Sequence, residues 1–318
     1  MRTLFVTFFT VFIAFGCIAQ FGNEWIKFNQ QYYKIPVAKD GIYRLTYADL
    51  ENAGFPAGST DPRRIQIFHR GIEQHIRVQG EIDAIFNASD YIEFYGKKND
   101  GVSDAELYQP ASTQPHQYYN LYSDTTAYFL TVNPLPQQGL RMEEFFSNNL
   151  PILPAETSHR DQKLRVLTTQ YATGQLYSTY LQNSFFETGE GWTGDLIIQN
   201  SFIDYTIENI LFTSQAAGNP QLEIQVMGRA NLSHVVEISV GPSAPSRVVA
   251  NQSFPDSEVR TISVPLNWSD IGVDGRLVVR VRAMGAGGAA DRLSASYIKV
   301  MYPQSFNQSG VTEKIFQL

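Results

Sequence analysis

The chain has 318 residues and a formal net charge of −7, from 24 Lys and Arg against 31 Asp and Glu. Hydrophobic residues make up 43% and aromatic residues 13%, so the chain has enough apolar surface for packed cores and is not disordered. The acidic balance, spread without basic runs, excludes the charge footprint of a nucleic-acid binder, and the length predicts two domains.

Residues 1–19 are predicted to be a signal peptide. Arg2 precedes an apolar run that ends at Ile18, and a polar segment follows Ala19. The run is shorter than the roughly twenty residues that a membrane helix needs. Lipidation at Cys17 is an alternative that Gly16-Cys17 leaves open. We therefore expect an exported protein of the periplasm, outer membrane or cell surface, without a transmembrane segment after signal cleavage.

Cysteine usage limits the chemistry of the chain. Cys17 is the only cysteine, and it lies in the predicted signal peptide. A mature chain without cysteine has no disulfide framework, no thiolate metal site and no cysteine nucleophile. We assign no catalytic, cofactor-binding or metal-binding residue and no cofactor from the sequence.

Residues 20–136 are predicted to form an N-terminal β-rich domain. Residues 32–37 alternate like a strand, Asp40-Gly41 is a strong hairpin signal, and residues 42–46 return as the partner strand. A short helix follows, because Thr46 can cap it and Gly54 can end it. Further strands are predicted at residues 64–68, 72–78, 90–95, 118–122 and 127–132.

The rest of the chain divides into three segments. Residues 137–188, rich in Pro, Gln, Gly and Asn at their start, are predicted to be a linker or irregular connection. Residues 189–305 alternate with period two in successive strands, which predicts two facing antiparallel sheets. Residues 306–318 look like the start of a further segment. The predicted fold is all-β with minor α: a β-rich domain followed by a jelly-roll-like β-sandwich.

Histidines and acidic residues offer few candidate sites. The five histidines lack metal-binding spacing, and His69 and His75 are predicted to face each other across a hairpin as a polar pair. Nothing marks a Ser/His/Asp triad, and the Gly-rich residues 285–290 lie between predicted strands, unlike a phosphate loop. Asp100, Asp104 and Glu106 carry oxygen ligands that calcium prefers but lack its loop spacing, so we expect Asp100 to accept backbone hydrogen bonds.

Trp192 in GEGWTG is the aromatic residue most typical of a binding site. An exposed Trp in a β-sandwich can stack on a sugar ring. The alternative is an anchor at the domain boundary, buried against Phe185 and Phe186.

A series of segments resembles one family. The series is YYKIPVAKDGIYRLTYADLENAGF, RRIQIFHRGIEQHIRV, DYIEFYGKKNDGVSDAELY and YYNLYSDTTAYFLTV, followed by GEGWTG and RLSASYIKVMYP. Together these segments resemble the N-terminal region of the PorU-type sortases of the type IX secretion system, which are gingipain-like cysteine peptidases of Bacteroidetes. The resemblance covers roughly residues 25–305.

The resemblance implies a non-catalytic part of such a peptidase. In that family a caspase-like domain with a Cys nucleophile and a His base follows these β domains, and no residue here matches either role. The expected role is a pro-region or scaffold in type IX secretion and in proteolytic processing of exported cargo. Its expected partners are a downstream peptidase domain or other secretion-system components.

Two other functions remain open from the sequence. One is a cell-surface β-sandwich module that binds carbohydrate, such as a surface glycan, or protein. The other is an independent hydrolase, which would need His and carboxylate side chains that converge in a pocket.

Overall fold

The computed structural model describes residues 23–144, 154, 156–175, 184–285, 290–306, 309–311 and 314. The predicted signal peptide with Cys17, and residues 286–289 of the Gly-rich stretch, lie outside these described residues. Among the described residues no helix is both long and apolar enough to cross a membrane.

The chain forms two compact units that are interleaved in sequence. The first contains Met1–Val37, Ile42–Gly96 and Ala127–Glu144, and the second contains Ala38–Gly41, Lys97–Thr126 and Phe145–Leu318. The sequence had placed residues 97–126 in its first domain, whereas the amide of Gln225 donates to the carbonyl of Gln114 (3.1 Å) within the second unit. The domain boundaries themselves stay a prediction.

The first unit is built from two small sheets and one helix. The strands are β1 (Tyr33–Val37), β2 (Gly41–Thr46), β3 (Ile65–His69), β4 (Ile72–Glu73), β5 (Arg77–Gln79), β6 (Tyr91–Gly96) and β7 (Thr126–Val132). Helix α1 spans Tyr47–Asn52, and short 3₁₀ helices span Ala57–Ser59, Pro62–Arg64 and Glu81–Asp83. The sheet orders are β1-β7-β3-β4 and β2-β6-β5.

Helix α1 begins and ends where the sequence predicts. The Thr46 hydroxyl accepts the Asp49 amide hydrogen (3.2 Å), and the Asp49 carboxylate accepts that of Thr46 (2.9 Å). This reciprocal capping satisfies donors that have no partner inside the helix. Gly54 leaves the helix with φ of +77°, which glycine adopts without strain.

Two secondary-structure predictions for the first half of the chain are wrong. Asp40-Gly41 does not close a hairpin, since β1 and β2 lie in different sheets. The Asp40 carboxylate instead accepts a hydrogen bond from the Lys98 amide (2.7 Å). Residues 118–122 form no strand, because backbone groups there bond to side chains, as the Leu121 amide does to Asp104 (2.8 Å).

The second unit contains a β-sandwich. Its strands are β8 (Ser158–Val166), β9 (Gln170–Thr173), β10 (Glu190–Thr193), β11 (Ile197–Ile198), β12 (Phe202–Ile207), β13 (Gln221–Gly228), β14 (Ser233–Gly241), β15 (Arg247–Pro255), β16 (Val259–Pro265), β17 (Leu277–Ala283) and β18 (Arg292–Ser305). One sheet has the order β11-β18-β13-β16, with β8 also paired to β18, and the other has β12-β17-β14-β15. Strands β9 and β10 form a separate pair. Short 3₁₀ helices span Gly101–Leu107, Ala111–Thr113, Gln215–Ala217 and Trp268–Asp270.

The sandwich core comes from the inward face of both sheets. Ile224 and Ile298 on one sheet, and Ile238 and Val281 on the other, are fully buried in one cluster. Burying such side chains contributes roughly 1.5–3 kcal/mol each relative to exposure. The all-β sandwich predicted from period-two alternation is thus confirmed.

Strands β8 and β9 lie within residues 137–188, where the sequence predicted an irregular connection. Among the described strands β8 pairs only with β18, at the edge of its sheet. Its side chains are partly or fully exposed, so it lacks the apolar alternation that marks a strand with one buried face.

Candidate functional site

The histidines of the first unit do not form a site. His69 lies opposite Ile72 across the β3–β4 hairpin and stacks on Tyr128, with ring centroids 4.1 Å apart. His75 lies outside the paired residues, so the prediction that the two histidines face each other is wrong. Among the described residues no group of three or more His, Cys, Asp and Glu could hold a metal ion.

His234 and Asp291 form a buried pair in the second unit. His234 is fully buried and Asp291 is 1% exposed, and His234 Nδ1 lies 2.5 Å from Asp291 Oδ1. His234 Nε2 lies 3.0 Å from the carbonyl oxygen of Ala230, which can only accept, so this nitrogen is the donor. Both ring nitrogens are therefore engaged in structural contacts, and the pair does not support the hydrolase hypothesis.

The acidic cluster is structural. Asp100 accepts a hydrogen bond from the Val102 amide (3.2 Å) and so caps a 3₁₀ helix, in agreement with the prediction. Asp104 is 4% exposed and accepts hydrogen bonds from Asn120 Nδ2 (2.6 Å) and from the Leu121 amide. Because these donors satisfy the Asp104 carboxylate, the cluster holds a loop and presents no open cation site.

Trp192 lies in β10 and is half-buried. Its ring meets Tyr119 and Tyr171 edge to face, with centroids 6.3 and 5.6 Å away, and its indole N–H donates to the Leu121 carbonyl (3.2 Å). Phe186 instead packs against Tyr108. Trp192 is therefore an anchor, and its ring partners are tyrosines from other segments.

The glycines around Trp192 explain the GEGWTG motif. A Cβ at Gly191 would lie 2.8 Å from Pro115 Cγ, and one at Gly194 would lie 2.8 Å from the Ala295 carbonyl oxygen. Contacts this close exclude a side chain. The motif thus lets β10 approach neighbouring backbone, and Trp192 fixes its position.

A polar groove of about 360 Å³ lies on the outward face of the β8-containing sheet. We call it the Tyr297 groove, and its lining includes Gln114, Gln117, Glu223, Gln225, Thr261 and Tyr297. Strand pleating places Glu223 and Gln225 on this face because the alternating Leu222, Ile224 and Val226 fill the core.

The charges of the Tyr297 groove are paired. Lys299 Nζ lies 2.7 Å from Glu223 Oε1 and donates to the Tyr118 hydroxyl (3.1 Å). The Tyr297 hydroxyl also donates to Glu223 Oε1 (3.0 Å). Burial raises the pKa of Tyr297, and the neighbouring carboxylate acts in the same direction, so the phenol stays protonated and donates. The groove therefore offers amides, hydroxyls and a neutralised ion pair, which suit an uncharged polar ligand.

Sequence reasoning did not single out Glu223, Tyr297 or Lys299. The available signal was the polar half of the alternation in β13 and β18. Segment 111–118 covers that face in the structure, and no local pattern predicts this.

No family model matches the sequence, and neither does any curated protein. The structure is similar to the crystal structure of dimeric latent PorU from Porphyromonas gingivalis, with a TM-score of 0.51 at 15% identity. The likeness covers 88% of this chain and 25% of that one, so the chain spans about a quarter of the length of PorU. It shows a PorU-like fold.

Carbohydrate-binding modules are weaker matches. The CBM36-1 domain of a multidomain xylanase from the hindgut metagenome of Trinervitermes trinervoides has a TM-score of 0.27 at 14% identity, covering 48% of this chain and all of that one. A CBM36 module in complex with calcium and xylotriose has a TM-score of 0.24 at 10% identity, covering 44% and 98%. Scores this low support no argument about function.

Proposed function

We propose that this chain is a non-catalytic N-terminal part, a pro-region or scaffold, of a secreted PorU-type peptidase that acts in type IX secretion. The observation that supports it best is the PorU-like fold over 88% of the chain. The ordered series of segments from residue 32 to residue 303 points the same way.

The side chains agree with a non-catalytic role. The only cysteine is Cys17, so no thiol can pair with a histidine in a mature chain. His116 and His234 are buried, and His69 stacks on a tyrosine. The chain would contribute binding surface to a peptidase domain or to other secretion-system components, at the periplasm, outer membrane or cell surface.

Two measurements on the purified chain test this proposal. We expect no cleavage of peptides that carry a C-terminal sorting signal, and we expect stable association with the caspase-like peptidase domain of a PorU-type sortase from the same organism. An unrelated secreted β-sandwich of similar charge is the control for association. Cleavage by the chain alone, or no association above the control, would contradict the proposal.

The Tyr297 groove supports a second candidate function, a glycan-binding or protein-binding module. Gln225 is 6% exposed and Gln117 and Thr261 are open to solvent, so the groove combines a fixed amide with accessible hydrogen-bonding groups. A glycan array with the full chain tests it. Binding that is lost in Thr261→Val and Gln117→Leu but kept in Thr169→Val, a hydroxyl outside the groove, would support this function. An array without any signal would contradict the glycan-binding function.

A further inference from the structure

A second polar cavity, of about 300 Å³, lies at the end of β13 in the second unit. Thr173, Gly228, Arg229, Asn231 and Ser257 are among the residues that line it. We call it the Arg229 cavity. It shares no lining residue with the Tyr297 groove.

The charge of Arg229 has no partner among the described residues. Nη1 of its guanidinium is buried and makes no hydrogen bond within this part of the chain. By contrast, Arg280 and Arg44 contact Asp204 and Glu93 at 2.7 Å. Burial lowers the pKa of Arg229, and no neighbouring charge opposes that shift. A partly desolvated cation without an anion is unfavourable in a folded protein.

A serine side chain lies in the same cavity. Ser257 is 3% exposed and lines the same space as Arg229. The cavity lining therefore combines a hydroxyl with a partly buried guanidinium that has one buried, unpaired nitrogen among the described residues. Most buried polar groups in proteins are hydrogen-bonded, so the unpaired Nη1 beside a polar cavity requires an explanation.

Contacts of the neighbouring residues fix the loop that carries Arg229. A Cβ at Gly228 would lie 1.7 Å from the carbonyl oxygen of Asp256, so only glycine allows this approach. His234 Nε2 binds the carbonyl of Ala230, and Asp291 binds the other nitrogen of His234. The backbone position of Arg229 is thus set before any ligand arrives, which reduces the entropic cost of binding.

These observations indicate the charge and the size of a ligand that would fit the Arg229 cavity. A guanidinium forms its strongest hydrogen bonds with carboxylate, phosphate or sulfate oxygens. A volume of about 300 Å³ lies at the small end of ligand pockets. We propose that the Arg229 cavity binds a small oxyanion group, carried by a carboxylate, a phosphate ester or a sulfate ester. This proposal does not depend on the proposed function.

Thermal unfolding of the full chain tests the proposal. Unfolding is followed in inorganic phosphate, sulfate or glucuronate and compared with chloride at equal ionic strength and pH. A ligand that binds only the folded state raises Tm. We expect a rise on the order of 3 °C in at least one oxyanion at about ten times its Kd. The glucuronate arm distinguishes a carboxylate from the phosphate and sulfate esters.

Variants assign the effect to the cavity. Arg229→Met should remove the rise while keeping the Tm in chloride, because it removes a charge without a partner. Arg276→Met, which removes an exposed arginine that lies 3.8 Å from Asp274, should keep the rise. Ser257→Ala should weaken anion binding about tenfold. If Arg229→Met does not fold, Arg229→Gln replaces it.

Equal Tm values for the unmodified chain in chloride and in all three oxyanions would overturn the proposal. So would a rise that persists in Arg229→Met or Arg229→Gln. Far-UV circular dichroism of each variant confirms that it is folded.

Discussion

Lys299 and Arg229 are two partly buried cations of the same unit with opposite surroundings. Lys299 lies 2.7 Å from Glu223 and donates to Tyr118. Burial opposes its charge, but these contacts raise the pKa of Lys299 above its ordinary value. Arg229 has no such contact among the described residues, and burial lowers its pKa.

The comparison distinguishes two kinds of site. In one, the chain itself supplies the carboxylate that pairs with the cation, and in the other the cation still requires an anion. In the Tyr297 groove the carboxylate compensates the cation, so a ligand finds a nearly neutral surface. In the Arg229 cavity the compensation has to come from outside the described chain. Removing a single charge should therefore destabilise the protein at the Tyr297 groove and change its stability little at the Arg229 cavity.

The largest effect should come from the pair that supports the Arg229 loop. Asp291→Asn leaves the fully buried His234 without its carboxylate, and we expect a loss of about 3 kcal/mol in the free energy of unfolding. Urea denaturation measures it. Asp204→Asn, in a partly exposed pair with Arg280, is the control and should cost below about 1 kcal/mol. Equal losses in both variants would contradict the structural role of the pair.

His116 tests the region around Tyr297 through pH. Its ring centroid lies 6.2 Å from that of Tyr297, and burial lowers the pKa of His116 to about 4. The unfolded chain, with an ordinary histidine pKa near 6.5, binds the proton more readily between these values. The contribution of His116 to the free energy of unfolding is therefore fully present above pH 6.5. It is lost as the pH drops to 4, by about 3 kcal/mol at most.

The matched variant is His116→Asn. Nδ1 of His116 accepts the Tyr118 amide hydrogen (3.1 Å), and an asparagine oxygen can take over that role without titrating. Urea unfolding at pH 7, 6, 5 and 4 should show a shallower fall for the variant. Parallel curves for the two proteins would exclude His116 as the source.

A smaller effect is expected at the Tyr297 groove. Glu223→Gln leaves Lys299, with a side chain 13% exposed, without its carboxylate, and should cost about 1–3 kcal/mol. The double variant Glu223→Gln/Lys299→Met should recover part of that loss. Chemical denaturation of Glu223→Gln, Lys299→Met and the double variant gives the coupling energy between the two side chains. It should exceed about 0.5 kcal/mol. Additive losses would mean that the ion pair is not coupled.

The smallest effect is expected at Arg229 itself. In chloride, Arg229→Met should change the free energy of unfolding by less than about 1 kcal/mol, because no described partner loses a contact. The same denaturation experiment measures it. A loss as large as that of Glu223→Gln would show that Arg229 has an internal partner, and the contrast between the two cations would disappear.

Local patterns predicted the strands with one buried face. In β6, Ile92 and Phe94 are fully buried between partly exposed neighbours, as the alternation indicates. The same approach missed β8, a partly exposed edge strand. It misassigned Asp40-Gly41, since a turn signal reports local backbone preference and not which strands pair.

Sequence by itself determined the all-β class, the capped helix α1 and the absence of a thiol beyond Cys17, because periodicity, capping and composition are local properties. Only the tertiary structure decided which charges meet. Glu223 and Lys299 are far apart in sequence and become direct partners through the register of β13 and β18. Arg229, directly after β13, is brought into a cavity whose described lining residues include no carboxylate. Strand pairing across long separations sets these contacts, and no short stretch of the sequence specifies it.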